Sequence, residues 1–100
     1  MDEKIKEISD RINNEFSNGA KFNNKDVRME LKNRLEQELP ECTIKCNEEN
    51  NPPELIDLCC IAARASWMEN HQEKEYILVF GQKEQVNIAY RNIFDLEADE

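Results

Sequence analysis

Glycine is nearly missing from this chain: 100 residues contain two, Gly19 and Gly81. No Gly-rich loop that cradles phosphates can be written with them. With three prolines, the composition is neither collagen-like nor that of a flexible linker. Histidine is limited to His71, in the polar stretch Glu69-Asn70-His71-Gln72-Glu73. A solvated loop residue is the plain reading there, because a Cys–His nucleophile pair needs a cysteine beside the ring. The aliphatic hydroxyls are Ser9, Ser17, Thr43 and Ser66. None stands in a Gly-x-Ser-x-Gly elbow. The 22 acidic residues can always supply a pair, so without a cleft or a perturbed pKa such a pair says nothing about acid–base catalysis. The sequence points away from an enzyme and implies no cofactor.

Long apolar runs are missing too. Nothing approaches the ~18 residues of a membrane span, and residues 1–20 are charged and amphipathic, unlike a signal peptide. No Asn-x-Ser/Thr triplet occurs. A cytoplasmic chain with reduced thiols is the expectation.

Positive charge is scarce. Lys and Arg number 13 against 22 Asp and Glu, for a net charge of −9. Residues 1–39 carry nine acids and eight bases, whereas residues 40–100 carry 13 and five. Such a surface repels polyanions, so neither direct nucleic-acid binding nor an anionic membrane is expected. Leu, Ile, Val and Phe make up 23 of the 100 residues, just above the roughly 20% below which an acidic chain stays disordered. A modest folded core follows.

Four cysteines invite a zinc or disulfide reading, and their spacing resists it. Structural zinc sites pair two C-x₂₋₄-C units, but here Cys42 and Cys46 are followed by the vicinal Cys59 and Cys60. In a strand the first two lie about 13 Å apart, and the second two point to opposite faces. Plain core thiols are expected and no metal ligand is assigned; a cysteine-based metal or redox protein is the alternative.

Ile5, Ile8, Ile12 and Phe16 recur at helical steps, and Asn18-Gly19 supplies a stop. Asn23 as N-cap, Asp26 at N3 and a Phe22–Val27 staple start a second helix. Val27, Leu31, Leu35 and Leu39 stripe it, and Pro40 ends it. The short link predicts an antiparallel helix pair. Cys42, Ile44 and Cys46 then alternate with polar residues, as in a half-buried strand.

Residues 52–69 allow two readings. Asn51-Pro52-Pro53-Glu54 has the form of a helix start, with Leu55, Cys59, Ala62, Ala63 and Ser66 along one face. A hairpin turn centred on Asn70-His71 instead sets Trp67 opposite Lys74, Ala65 opposite Tyr76, Ala63 opposite Leu78 and Ile61 opposite Phe80. That single register sorts both segments into an apolar and a polar face, which favours the hairpin. His71 is its weak point, because a type I′ turn prefers Gly there. Trp67 shares parity with Ile61, Ala63 and Ala65, so it reads as core before interface anchor. Val86, Ala89, Tyr90, Ile93 and Phe94 fit a helical face, with strand alternation as the competing pattern for residues 84–96.

The expected architecture is one α+β domain over residues 1–96. It comprises an N-terminal helical hairpin, a three-stranded antiparallel β-meander and a C-terminal helix, in two layers with the helices on one sheet face. Residues 97–100 form a frayed acidic tail. Glu48, Glu49, Glu54, Asp57, Glu69, Glu73 and Glu75 are the candidate partner-binding residues. They form a docking face for a basic, nucleic-acid-handling protein, weighed against a merely solubilising surface. Size and charge match inhibitors encoded by phages or mobile elements, immunity proteins and antitoxins, by analogy alone. A homodimer joined through a helix face or an edge strand, serving in assembly, is a further alternative.

Overall fold

The computed structural model describes residues 1–16 and 25–96. The N-terminal stripes fold as expected. α1 (Asp2–Phe16) buries Ile5, Ile8 and Ile12, and α2 (Lys25–Glu38) buries Leu31 and Leu35, with Leu39 just beyond it. Ion pairs join Lys4 to Glu41, Arg11 to Glu38 and Glu15 to Arg34, so the helices run antiparallel. The expected Asn18-Gly19 stop, the Asn23 cap and the staple residue Phe22 lie outside the described residues, as do residues 97–100.

Three antiparallel strands follow in the order β1 (Thr43–Lys45), β2 (Ile61–Glu69), β3 (Gln72–Phe80). The β2–β3 register is the expected one along its whole length, from Glu69 with Gln72 at the tip to Ile61 with Phe80 at the base. The turn is made by Asn70 (φ 51°) and His71 (φ 66°). Both central residues are left-handed, as a two-residue I′ hairpin demands, although His carries a Cβ penalty that Gly avoids.

The sheet is apolar on both faces at its base. On one face Ile61, Ala63, Ala65, Trp67, Leu78 and Phe80 pack with Ile44 against the α1–α2 pair. On the other, Ala62 and Val79 pack with Leu55, Cys60 and Ala89. The helix α4 (Lys83–Asn92) thus forms where its periodicity placed it, with Val86, Ala89 and Tyr90 inward. It covers the face opposite α1 and α2 and does not join them on one side. The cause lies in β2 and β3, where Ala62, Val79 and Ile77 are apolar at positions of the opposite parity.

The competing signals in residues 52–69 are both real and occupy different residues. A short helix α3 (Pro53–Asp57) precedes β2. It ends in a Schellman arrangement: the Cys60 N–H donates to Leu55 C=O (3.1 Å) and the Cys59 N–H to Ile56 C=O (2.9 Å). Cys59 holds the left-handed position (φ 56°) that glycine usually fills. Pro52, not Asn51, is the N-cap, and it makes no side-chain cap bond. The Asn51 side chain is committed elsewhere.

Candidate functional site

Asn51 is a buried polar residue (6% exposed) on the loop between a 3₁₀ turn (Glu48–Asn50) and α3. β1 pairs with β2 only at Arg64, Ala65 and Ser66, so the main chain of Ala62 would be left without a neighbour. The Asn51 amide supplies one. Ala62 N–H donates to Asn51 Oδ1 (2.8 Å), and Asn51 Nδ2 donates to Ala62 C=O (3.1 Å) and to Asn47 C=O (2.8 Å). One side chain therefore continues the ladder and ties the acidic loop to the sheet. Asn47 and Asn50 close a reciprocal capping box around the turn between them.

This anchoring fixes the first group of candidate residues. Glu48 and Glu49 lie on the 3₁₀ turn, Glu54 and Asp57 on α3, and all four are exposed. No Lys or Arg occurs between Lys45 and Arg64, and Ile56 is exposed in the same segment. The second group lies on the hairpin. Glu69 and Glu73 flank the tip, and Glu75 accepts from Arg64 Nη1 at 2.8 Å. Ala62, which Asn51 holds, and Glu69 are seven residues apart on one strand, roughly 23 Å. The seven carboxylates thus divide into a base patch and a hairpin group, in which Glu69 and Glu73 lie near the tip and Glu75 lies midway, opposite Ser66.

The cysteines do not converge. All are free thiols, and among the described residues no group of three His, Cys, Asp or Glu side chains could hold a metal ion. Cys46 and Cys60 are buried core groups and Cys42 is half-buried; Cys59 departs from the core-thiol expectation and is exposed. Its αL backbone at the end of α3 turns it away from the sheet's register. Burial pushes the Cys46 thiol up to about 11. The Cys60 thiol rises to about 12 through burial and then through its neighbour Cys59. Both stay protonated at neutral pH, which suits packing and disfavours nucleophilic or redox roles. Cys60 also packs tightly: a Cβ on Gly81 would come within 2.8 Å of its Sγ, so glycine is required where the strands meet at the base.

A groove of about 780 Å³ lies between α1, the outer edge of β3 and α4. Lys6, Ser9 and Asp10 line one wall, Glu75, Ile77 and Val79 the floor, and Lys83, Asn87 and Tyr90 the other wall. Towards the base, two side chains close the strand edge. Tyr90 Oη accepts from Val79 N–H and donates to Ile77 C=O, both at 3.1 Å. Gly81 N–H donates to Asn13 Oδ1 at 3.1 Å.

Asn51, Tyr90 and Asn13 thus do for this sheet what further strands do in larger ones. In the sequence Asn51 resembled a helix cap and Tyr90 one member of an apolar stripe. A tyrosine on such a stripe, whose hydroxyl needs a partner when buried, was the available signal.

No protein-family model, no curated protein and no solved structure compared with this chain matches it. Among the described residues no helix is long and apolar enough to cross a membrane.

Proposed function

We propose that this chain is a small acidic protein-binding module of the cytoplasm, without catalytic activity of its own, that docks on a basic, nucleic-acid-handling protein and regulates or blocks it. The reading rests chiefly on the base patch. Glu48, Glu49, Glu54 and Asp57 are exposed on one short, anchored segment that contains no basic residue. Carboxylates held in this way stand in for the phosphates that a nucleic-acid-binding surface expects. The exposed Ile56 supplies an apolar contact among them. A net charge of −9 adds long-range attraction for a cationic partner. Inhibitors, immunity proteins and antitoxins encoded by phages or mobile elements are the class this combination suits, by analogy of size and charge.

Affinity capture from host lysate at low and raised salt, followed by mass spectrometry, tests the reading. The parent chain should retain a basic protein at low salt and lose it as salt rises. A variant with Glu48→Gln, Glu49→Gln, Glu54→Gln and Asp57→Asn should retain much less of it. Recovery of neutral partners only, indifferent to salt and to the variant, would remove the electrostatic argument.

A further inference from the structure

The outer edge of β3 is a second surface with its own geometry. β3 ends the sheet, so alternate residues turn their N–H and C=O groups away from β2. The bonds from Tyr90 to Val79 and Ile77 identify these residues as Glu73, Glu75, Ile77 and Val79. Tyr90 and Asn13 close this edge towards the base. Towards the tip, the N–H and C=O groups of Glu73 and Glu75 and the N–H of Ile77 look outward, and among the described residues no strand lies beyond them.

The groove between α1 and α4 runs along the same edge and includes Glu75 and Ile77 in its floor. The side chains of Glu73 and Glu75 share one sheet face. Glu75 is paired with Arg64, whereas Glu73 faces Met68 across the sheet and meets no cation there. A neighbour on the open side would complete both the main-chain ladder and the charge balance.

We infer that a basic, extended peptide segment adds to the sheet as a fourth strand along Glu73–Ile77. Its main chain pairs with the five outward groups, its Lys or Arg side chains lie beside Glu73 and Glu75, and its far end enters the groove. This rests on the reading that the partner is a basic protein, and it specifies how part of that partner is held. Charge disfavours a second copy of this chain in the same place, because pairing β3 with itself brings the Glu73 and Glu75 rows together.

The test uses ¹⁵N-labelled full-length chain and the blocked peptide acetyl-Lys-Val-Lys-Val-Lys-amide. Shift changes and slowed exchange should appear at the Glu73, Glu75 and Ile77 amides with millimolar peptide. A form of the peptide N-methylated at alternate residues should bind about tenfold more weakly, because it loses main-chain bonds. Glu75→Pro, which removes an outward N–H but no bond to β2, should weaken binding more than Glu75→Gln does. Unshifted Ala63 and Leu78 amides show that the hairpin remains folded in each variant. Shifts confined to residues 48–57 and insensitive to N-methylation overturn strand addition and leave acidic docking intact. Absence of any shift with millimolar peptide at low salt counts against both.

Discussion

Replacing Asn51 by Leu removes the side chain that continues the ladder at Ala62, on the β1 side of the sheet. Leu keeps the branching and the number of side-chain heavy atoms, although its methyl groups are bulkier than the amide, so the lost hydrogen bonds are accompanied by some crowding at this buried site. Three bonds are lost, at 2.8, 3.1 and 2.8 Å. The N–H of Ala62, a residue 1% exposed, keeps no partner. An ordinary bond contributes about 1 kcal/mol net, and a buried unpaired donor costs roughly 1–3 kcal/mol. Asn51→Leu should therefore destabilise by about 3 kcal/mol, or on the order of 15 °C in Tm for a domain of this size. Urea unfolding followed by the fluorescence of the buried Trp67 measures it. Asn51→Asp sharpens the test. The carboxylate still accepts from Ala62 N–H but faces the carbonyls of Ala62 and Asn47, which favours its protonated form in the fold. A pKa raised on folding gives stability that is present in acid and lost as pH rises. Asn51→Asp should accordingly recover part of its deficit between about pH 7 and pH 4 when compared with the parent at each pH. A Leu variant within about 0.5 kcal/mol of the parent would refute the reasoning, since that is the range of an inconsequential substitution.

Other consequences follow from particular residues. His71→Gly and Cys59→Gly each relieve a side chain held at positive φ, and each should stabilise by roughly 0.5–1 kcal/mol in urea titrations, net of the greater freedom of the unfolded chain. Tyr90→Phe removes the hydroxyl shared by Val79 and Ile77; a loss of roughly 1–2 kcal/mol, with faster amide exchange at Val79, is expected. The thiols of Cys46 and Cys60, raised to about 11 and about 12, favour the fold fully below the unfolded-chain pKa near 9. That contribution is lost as pH rises towards the folded values, by roughly 1–2 kcal/mol for each thiol at pH 10. A Cys46→Ala, Cys60→Ala variant should lose less stability between pH 7 and pH 10 than the parent does, and equal losses would contradict this.

The hairpin was legible because two segments constrain each other: one register sorts Ile61–Trp67 and Lys74–Phe80 together, and a slip by one residue would break that shared sorting by moving one strand's side chains to the opposite face. The α1 and α2 stripes were legible from spacing alone. The boundary inside residues 52–69 was not, because a helix-start signal says nothing about helix length. What ends α3 is a Cys in a conformation that sequence associates with Gly. The face taken by α4 depended on Ala62, Ile77 and Val79, whose apolar character was submerged in strands that are apolar on both sides at their base. Among the acidic residues, identity was plain but grouping was not. Glu48 to Asp57 and Glu69 to Glu75 are close in sequence terms, yet β2 separates them.

The most direct test of acidic docking is the association rate with the purified captured partner across a range of salt concentrations. Three chains are compared: the parent, one neutralised at Glu48, Glu49, Glu54 and Asp57, and one neutralised at Glu69, Glu73 and Glu75. Steering by carboxylates predicts a parent rate that falls by tenfold or more from low to high salt. The base-patch variant should start slower and respond less to salt. Equal rates for all three chains, flat against salt, would contradict the claim that this surface is recognised through its charge.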